Sequence, residues 1–372
     1  MKLIMTGGGT GGHIYPAIAI ADKIKKKHPE AEILFVGTQK GMEKDLVPKS
    51  GYEISFITVS GFHRKQILKN FKTLFDLAKG SREIRQILEE FRPDLVIGTG
   101  GYVCGPVVRE AHKMGIRTFI HEANAIPGVT NKLLEKYVDR VFISYEETRK
   151  HFTQQEKLVV TGIPIRKSFY TSSLMDQRTR LGIAPTDFMV LCFGGSRGAE
   201  KINSTMLELL PRLTAEPDLQ CYFITGKTHY KDTIAHLERT GLTVHPNLHV
   251  LEYASNMNEL LQAADLVVSR AGALTVSEIT ACGKPAILIP SPNVTGNHQY
   301  FNAKVVSDKG GAVLIEEKDL SAEKLLGTML RLKNNKEALN HMSRASRSIG
   351  RFDAVDLIYD QIFSSYHSVK DK

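Results

Sequence analysis

The chain has 372 residues, of which 42% are hydrophobic and 24% are charged, and it carries a formal net charge of +9. This length is enough for two domains, each with its own core, and the composition is that of an ordinary globular protein. No run of about 18 apolar residues occurs, so we expect no membrane-spanning helix. The first apolar segment stops at a glycine, which argues against a signal peptide.

The positive charge is uneven along the chain. Residues 1–165 contain 25 lysines and arginines against 18 acidic residues, whereas residues 166–372 contain 24 against 22. This excess predicts an acidic partner for the first half, such as nucleic acid, anionic lipid or a phosphorylated substrate, although a generally basic surface would give the same count. The four cysteines are scattered without CxxC spacing, so we expect reduced thiols in a cytoplasmic protein.

The segment from Gly7 to Gly12 contains five glycines in six positions. It follows an apolar run, Lys2–Met5, that predicts a buried strand, and it precedes a predicted helix from Pro16 to Lys27. The helix residues predicted to face the core are Ile18, Ile20, Ala21 and Ile24. A tight turn would need one or two glycines. Five glycines leave backbone N–H groups open at a helix start, which is where proteins bind anions.

Strand and helix signals alternate over the rest of the first half. The runs that predict strands are 32–37, 94–98, 117–122, 140–144 and 158–161. A second glycine cluster, Gly98–Pro106, leads into a predicted helix that ends near Lys113. Such alternation is typical of a parallel sheet with helices on both faces.

The pattern starts again near residue 165. Residues 188–193 predict a strand, Gly194–Ala199 form another glycine loop, and residues 201–210 predict a helix, which copies the opening of the chain. We therefore predict an α/β protein with two Rossmann-like domains, the second beginning near Arg166. Ligands of open α/β sheets bind beyond the carboxyl ends of the strands, so we expect the site in a central cleft that the two domains face.

Two common nucleotide sites do not fit the sequence. The first glycine loop has the spacing GxGxxG, but a dinucleotide fold also requires an acidic residue at the end of the second strand, where this chain has Gly37-Thr38-Gln39. NAD is therefore disfavoured. Gly226-Lys227-Thr228 resembles the end of a P-loop, but Cys221 stands where the earlier glycine is required, so ATP binding by that route is disfavoured as well.

The second half contains a better candidate for a diphosphate site. A predicted strand, 264–269, is followed by the turn Arg270–Ala273 and by a predicted helix, 274–282. The start of this helix could hold a diphosphate, and Glu278, one turn further in, could bind ribose hydroxyls, although a solvated helix residue would look the same. The next predicted strand runs into Thr295–Gln299, whose amides suit sugar hydroxyls but equally fit an ordinary loop.

Six short motifs occur in order between residues 8 and 299. They are Gly8–His13, Gly100–Val103, His121–Asn124, Gly194–Ala199, Arg270–Glu278 and Asn297–Gln299. Each is modest alone, but the ordered set closely resembles the MurG family, the membrane-associated N-acetylglucosaminyltransferases of peptidoglycan synthesis, which have the two-domain GT-B fold. The resemblance implies inverting transfer of GlcNAc from UDP-GlcNAc to the C4 hydroxyl of MurNAc in lipid I, which yields lipid II.

The resemblance also implies the domains and the site. It predicts an acceptor- and membrane-side domain, residues 1–165, with a C-terminal helix, residues 345–372, packing back on it. Residues 166–344 would form the UDP-GlcNAc-binding domain, and the implied location is the cytoplasmic face of the cell membrane. The residues expected to bind the donor are Thr10, Gly11, Gly12, Asn124, Arg166, Ser196, Ala254, Ala273, Leu274, Thr275, Val276, Ser277, Glu278 and Gln299.

The chemistry requires charge stabilisation and a base. Many glycosyltransferases neutralise the leaving diphosphate with a metal held by an Asp-x-Asp pair, and no such pair occurs in this sequence. We therefore expect no metal and no cofactor, with helix N-termini and Arg166 stabilising the charge. His13 is the predicted general base, because a helix N-terminus keeps a histidine neutral. Alternatively, His13 caps the helix or binds acceptor phosphate, and His121, His298 or Glu122 is the base.

Residues 62–77 predict an amphipathic helix. Its apolar stripe comprises Ile67, Leu68, Phe71, Leu74 and Phe75, and Arg64, Lys65, Lys69 and Lys72 surround the stripe. Such a helix suits the surface of an anionic bilayer, although a helix packed on its own core would look identical. The uneven charge and the lipid-linked acceptor favour membrane contact.

Three other functions fit parts of the sequence. Another GT-B enzyme that uses a UDP-sugar, such as a lipid glycosyltransferase or a UDP-GlcNAc epimerase, would share the fold and the nucleotide. A non-catalytic nucleotide-binding or scaffolding protein would also share the fold, but the glycine loops are intact. Nucleic-acid binding fits the charge, but no recognised nucleic-acid module accompanies it, so we expect no nucleic-acid partner.

Overall fold

The computed structural model describes residues 1–59, 69–166, 169, 174–195, 198–243 and 245–370. They form two α/β units. The first comprises Met1–Ile165 and Asp353–Lys372, and the second comprises Arg166–Phe352. Among the predicted site residues, Lys65, Ile67, Leu68 and Ser196 lie outside the described residues.

The first unit is built on one parallel sheet. Its strands are β1 Lys2–Thr6, β2 Glu32–Gly37, β3 Glu53–Phe56, β4 Leu95–Gly98, β5 Arg117–Glu122, β6 Arg140–Ile143 and β7 Leu158–Val160. Its helices are α1 Gly11–Lys27, α2 Glu43–Lys49, α3 Lys69–Phe91, α4 Cys104–Lys113, α5 Val129–Leu134 and, from the end of the chain, α14 Ala354–Lys370. The strand order is β3-β2-β1-β4-β5-β6-β7.

This order places two glycine loops side by side. The sequence of strands reverses direction between β1 and β4, which pair in parallel with Thr6 opposite Gly98. The loops that follow the two strands therefore leave the sheet at the same level. In open parallel sheets such a reversal opens the crevice where ligands bind.

Helix α1 begins earlier than the sequence predicts. It starts at Gly11 instead of Pro16, so Pro16 lies inside the helix and supplies no N–H for the Gly12 carbonyl. The first turn is nevertheless formed, because the His13 and Ile14 N–H groups donate to the Thr10 carbonyl. The four residues predicted to face the core, Ile18, Ile20, Ala21 and Ile24, are all buried.

The second unit repeats this architecture. Its strands are β8 Phe188–Phe193, β9 Leu219–Ile224, β10 Leu248–Leu251, β11 Leu266–Ser269, β12 Ala286–Leu288 and β13 Ala312–Leu314. Its helices are α6 Leu174–Arg180, α7 Glu200–Leu213, α8 Tyr230–Thr240, α9 Met257–Ala263, α10 Ala273–Ala281, α11 His298–Asp308, α12 Ala322–Lys333 and α13 Lys336–Ile349. The parallel order β10-β9-β8-β11-β12-β13 reverses between β8 and β11, so the glycine loop after β8 and the turn after β11 are neighbours.

The prediction of one C-terminal helix from residue 345 is wrong. Residue 345 lies within α13, which ends at Ile349, and α14 begins at Ala354. The break has a packing reason, since a Cβ atom at Gly350 would lie 2.5 Å from the Thr280 carbonyl oxygen. Helix α14 packs on α1 within the first unit, where Ile358, Ile362 and Phe363 join the apolar core.

None of the described helices is both long enough and apolar enough to cross a membrane. The predicted membrane-facing residues Lys69, Phe71, Lys72, Leu74 and Phe75 fall in the first turns of α3, which begins at Lys69.

Candidate active site

The two glycine loops of the first unit touch each other at the strand reversal. The Gly8 N–H group donates to the Gly100 carbonyl oxygen at 3.3 Å. Gly101 has a φ of +85°, and a Cβ atom there would overlap the carbonyl oxygen of Gly8. Both the backbone conformation and the close approach therefore require glycine at position 101.

His13 lies in the first turn of α1, directly beside this contact. Its Nδ1 atom is 3.0 Å from the Thr99 carbonyl oxygen, and the Thr99 hydroxyl donates to the main-chain carbonyl of His13 at 2.7 Å. A Cβ atom at Gly100 would lie 2.5 Å from the same Nδ1 atom, so glycine leaves room for the ring. Because a carbonyl oxygen only accepts hydrogen bonds, Nδ1 carries the proton and Nε2 carries the lone pair.

The His13 ring is neutral at physiological pH. Burial lowers its pKa to about 4, and the negative charge of Glu43 opposes that shift without cancelling it. The neutral state was predicted from the helix N-terminus, but the main cause is burial. A neutral imidazole whose Nε2 carries a lone pair can accept a proton from a hydroxyl group.

The two neighbouring candidates for the base have structural partners. His121 is fully buried, its Nε2 atom donates to the Gly162 carbonyl at 2.8 Å, and burial lowers its pKa to about 4. The buried Glu122 carboxylate accepts hydrogen bonds from the Asn124 backbone and side chain, from the Gly128 N–H group and from the Asn131 amide. Glu122 therefore holds its own loop together, as expected for a structural carboxylate.

In the second unit, one group of predicted residues directly follows β11, beside the strand reversal. Gly272 is the N-cap of α10, and the predicted residues from Ala273 to Glu278 form most of this nine-residue helix. The Gln299 side-chain oxygen accepts a hydrogen bond from the Ser291 N–H group at 2.9 Å, which leaves its NH₂ group as the donor toward a ligand. Arg166 is exposed, whereas Ala254 is buried.

Glu278 has a carboxyl group whose pKa is shifted far from its ordinary value. Burial raises its pKa to about 8, while the positive charge of Arg166 acts in the opposite direction. An acid whose pKa is raised by desolvation and that lies beside a cation is typical of a functional site.

The sequence comparisons identify the family. Residues 3–143 match the glycosyltransferase family 28 N-terminal domain, and residues 189–358 match the glycosyltransferase family 28 C-terminal domain. The chain belongs to glycosyltransferase family 28. The family resemblance predicted from the six motifs is thereby confirmed.

Family 28 relatives match this chain over nearly its whole length. A protein of Clostridioides difficile (strain 630) is 45% identical over 372 residues, which are 100% of this chain and 90% of that protein. One of Thermoanaerobacter sp. (strain X514) is 46% identical over 364 residues, which are 98% of this chain and 100% of that protein. Both are named UDP-N-acetylglucosamine--N-acetylmuramyl-(pentapeptide) pyrophosphoryl-undecaprenol N-acetylglucosamine transferase.

Solved structures agree with the family 28 assignment. The crystal structure of Acinetobacter baumannii MurG has a TM-score of 0.77 and 26% identity, and the match covers 98% of this chain and 99% of that one. The predicted GT-B fold is confirmed by this match. A UDP-GlcNAc 2-epimerase from Neisseria meningitidis bound to UDP-GlcNAc has a TM-score of 0.67 at 15% identity, with coverage of 98% and 100%, so it shares the fold alone.

A sizeable cavity in the second family 28 unit lies away from this site. It has a volume of about 530 Å³ and is lined by Phe188, Asp265 and Pro285, which stand at the amino ends of β8, β11 and β12. The glycine loop and α10 begin at the opposite, carboxyl ends of these strands. We therefore do not assign the donor to this cavity.

Three residues of the first unit were not predicted as site residues. Thr99 orients His13, and Glu43 accepts a hydrogen bond from the Gly9 N–H group of the first glycine loop. Tyr102, in the second glycine loop, forms a hydrogen bond with the Thr38 hydroxyl. Thr99 and Tyr102 lie inside the glycine cluster that the sequence had already marked. Glu43 has no comparable signal, since it stands in an ordinary polar segment.

The raised pKa of Glu278 predicts how the stability of the protein depends on pH. Replacing Glu278 with glutamine should raise the melting temperature at pH 8 to 9 and leave it unchanged near pH 4. The pKa of Glu278 is about 4.5 in the unfolded chain and about 8 in the folded protein. The protonated acid therefore supports the folded state fully below pH 4.5, and this stability is lost as the pH rises through about 8. The measurement is the melting temperature of both proteins between pH 4 and 9. A difference that does not grow with pH would contradict the prediction.

Proposed function

We propose that this chain transfers GlcNAc from UDP-GlcNAc to the C4 hydroxyl of MurNAc in lipid I, with inversion, and thereby forms lipid II. The observation that carries the proposal is the neutral, oriented His13 at the contact of two glycine loops, in a chain that matches the named transferases nearly end to end. A neutral base at an anion-binding loop suits attack by a sugar hydroxyl on a diphosphate-activated sugar.

The proposed step follows from the state of His13. Its Nε2 atom takes the proton of the C4 hydroxyl while the hydroxyl oxygen forms a bond to C1 of GlcNAc. The bond between C1 and the diphosphate oxygen breaks, and UDP leaves with the electron pair. Attack from the face opposite the leaving group inverts the configuration at C1.

The leaving diphosphate needs positive charge. We assign this role to the N-terminus of α10, whose first backbone N–H groups carry partial positive charge, and to Arg166. The proposed donor contacts also include Ala254, Glu278 and Gln299 in the second unit, with Thr10, Gly11, Gly12 and Asn124 in the first. Since the sequence contains no Asp-x-Asp pair, turnover should persist in EDTA.

Two measurements test the proposed function. Thermal melting with UDP-GlcNAc, UDP, ADP and NAD compares the nucleotides, and a ligand at about a hundred times its Kd should stabilise the protein by roughly 2.7 kcal/mol. A transfer assay with labelled UDP-GlcNAc and lipid I, with and without EDTA, then tests the reaction. Stabilisation by the uridine compounds and label in lipid II support the proposal. Stabilisation by NAD alone, or conversion of UDP-GlcNAc without acceptor, would contradict it.

We also propose that the first unit contacts the anionic cytoplasmic surface of the membrane. Helices α3 and α5 both pack against α4. On α5, Val129 and Leu133 are 57% and 63% exposed, one helical turn apart, and Lys132 beside them is exposed as well. Exposed apolar side chains with basic neighbours support an interfacial role for this face and for the basic segment that leads into α3.

Charge reversal in the basic segment tests the membrane proposal. Replacing Lys65, Lys69 and Lys72 with glutamate should weaken binding to phosphatidylglycerol vesicles by at least about 100-fold, since each lysine near an anionic surface contributes about 1 kcal/mol and each glutamate is repelled by it. The measurement is vesicle sedimentation at low salt. A control variant with Lys201, Lys231 and Lys324 reversed in the second unit should bind as the wild type does. Equal binding by all three proteins would contradict the proposal.

A further inference from the structure

A buried carboxylate lies beneath the first glycine loop. Glu43, the first residue of α2, has no solvent exposure. Its oxygens accept hydrogen bonds from the Gly9 N–H group at 2.9 Å, from the Thr38 N–H group at 3.1 Å and from the Thr38 hydroxyl at 2.9 Å. Among the described residues no lysine, arginine or histidine forms an ion pair with it. The carboxylate is therefore held by N–H and O–H donors.

The surrounding glycines make room for this side chain. A Cβ atom at Gly8 or Gly37 would lie 2.6 Å from a Glu43 side-chain atom, and one at Gly41 would overlap the carboxylate. Three glycines from two separate turns thus enclose one acid. Burying a carboxylate is expensive unless its oxygens are hydrogen-bonded, so this arrangement requires the loop to keep its N–H group aimed at the acid.

The contacts of Glu43 reach the second glycine loop as well. The Thr38 hydroxyl donates to Glu43, so its oxygen is the acceptor for the Tyr102 hydroxyl at 2.9 Å. Tyr102 directly follows Gly101, the residue packed against Gly8. The chain Tyr102–Thr38–Glu43–Gly9 therefore connects both loops beside His13.

The same contacts occupy the place where dinucleotide folds bind ribose. In such folds an acidic residue after the second strand binds the ribose hydroxyls. Here Thr38 follows β2, and both its N–H group and its hydroxyl are directed to Glu43. This gives a structural reason why the first loop has GxGxxG spacing without a dinucleotide site.

We propose that Glu43 is a positioning residue for the transfer reaction. It holds the Gly7–Gly12 loop and Tyr102 in place, and through the loop it sets the position of His13 in the first turn of α1. It does not contact the reacting atoms. The expected effect on kcat rests on the proposed function. The expected effect on the order of the loop rests on the hydrogen bonds alone.

Replacing Glu43 with glutamine tests this role. The amide NH₂ group cannot accept a hydrogen bond, so either Gly9 or Thr38 loses its acceptor. We expect kcat to fall about 10- to 100-fold, because small displacements of a catalytic group are costly, while the Kd for UDP stays within about twofold. Hydrogen exchange at the amides of residues 8–12 should become faster.

Glu135→Gln is the matched control. Glu135 is a buried carboxylate of the same unit that accepts from the Thr153 N–H group, the Thr153 hydroxyl and the Gln154 N–H group, and these hydrogen bonds do not involve either glycine loop. The Glu135→Gln variant should be less stable than the wild type, but its kcat and the hydrogen exchange at the amides of residues 8–12 should be unchanged. Equal kcat values for the two variants, or unchanged loop exchange in Glu43→Gln, would overturn the positioning role. An inactive wild-type protein would instead overturn the proposed function, and the exchange measurement would still decide the role of Glu43.

Discussion

Replacing His13 with alanine is expected to lower kcat by about 100- to 10,000-fold, the range contributed by a positioned general base. The folded structure should persist, since the Thr99 hydroxyl donates to the main-chain carbonyl of residue 13 and does not need the ring. The measurement is steady-state transfer to lipid I with the donor saturating. The exposed His112 of the same unit, replaced with alanine, is the control and should retain full activity.

The pH profile provides a second readout for His13. Burial lowers its pKa to about 4, so the ring is neutral and able to accept a proton at any pH well above that value. The titration of His13 should therefore not change the wild-type kcat between about pH 5.5 and 7.5. The wild-type kcat should fall as the pH drops through about 4, because His13 then becomes protonated. Nearly full turnover by the alanine variant, or a midpoint near pH 6.5 that the variant lacks, would count against the assignment.

Replacing Gly101 with alanine is expected to separate the two glycine loops. The new Cβ atom would overlap the Gly8 carbonyl oxygen, and the residue would keep an unfavourable φ of +85°. We expect a loss of about 2 to 3 kcal/mol in the free energy of unfolding, in line with the cost of backbone strain at functional sites. We also expect about a 100-fold loss of kcat, because the loop that holds His13 must move.

Gly115→Ala separates strain from overlap. Gly115 lies in the same unit with a φ of +73°, and a Cβ atom there would have no neighbour within 4 Å. This control should lose about 1 kcal/mol of stability with normal kcat. Denaturant unfolding and transfer kinetics of both variants provide the comparison. If the two variants behave alike, the contact between the loops has no role in catalysis.

Much of the fold was predictable because its signals are local. The strands β2 and β8 coincide with apolar runs that the sequence marks directly, since parallel strands buried on both faces are largely apolar. The glycine loops were predictable for the same reason. Their position follows from the chain reversing at a strand end, and the glycines needed there are adjacent in sequence.

The errors concern the positions where helices begin and end. Pro16 suggested a helix start, but the Thr10 carbonyl accepts the first helical hydrogen bonds and α1 begins at Gly11. Apolar residues between 354 and 363 suggested one C-terminal helix from residue 345, but α13 ends at Ile349, where Gly350 closely approaches Thr280. The approach of Gly350 to Thr280 joins residues 70 positions apart and is not visible in the segment that it governs.

The residue pattern was enough to predict the α/β class, the repeated strand–glycine–helix openings, the family motifs and His13 as the candidate base. The hydrogen bonds that orient His13 and support its loop became visible only in the folded structure. The hydrogen bond from His13 to Thr99 joins residues 86 positions apart, and the one from Gly9 to Glu43 spans 34. No sequence pattern predicts which distant group will form a hydrogen bond with a backbone carbonyl or a buried carboxylate. The tautomer of His13 and the support of its loop therefore exist only once the parallel sheet brings these segments together.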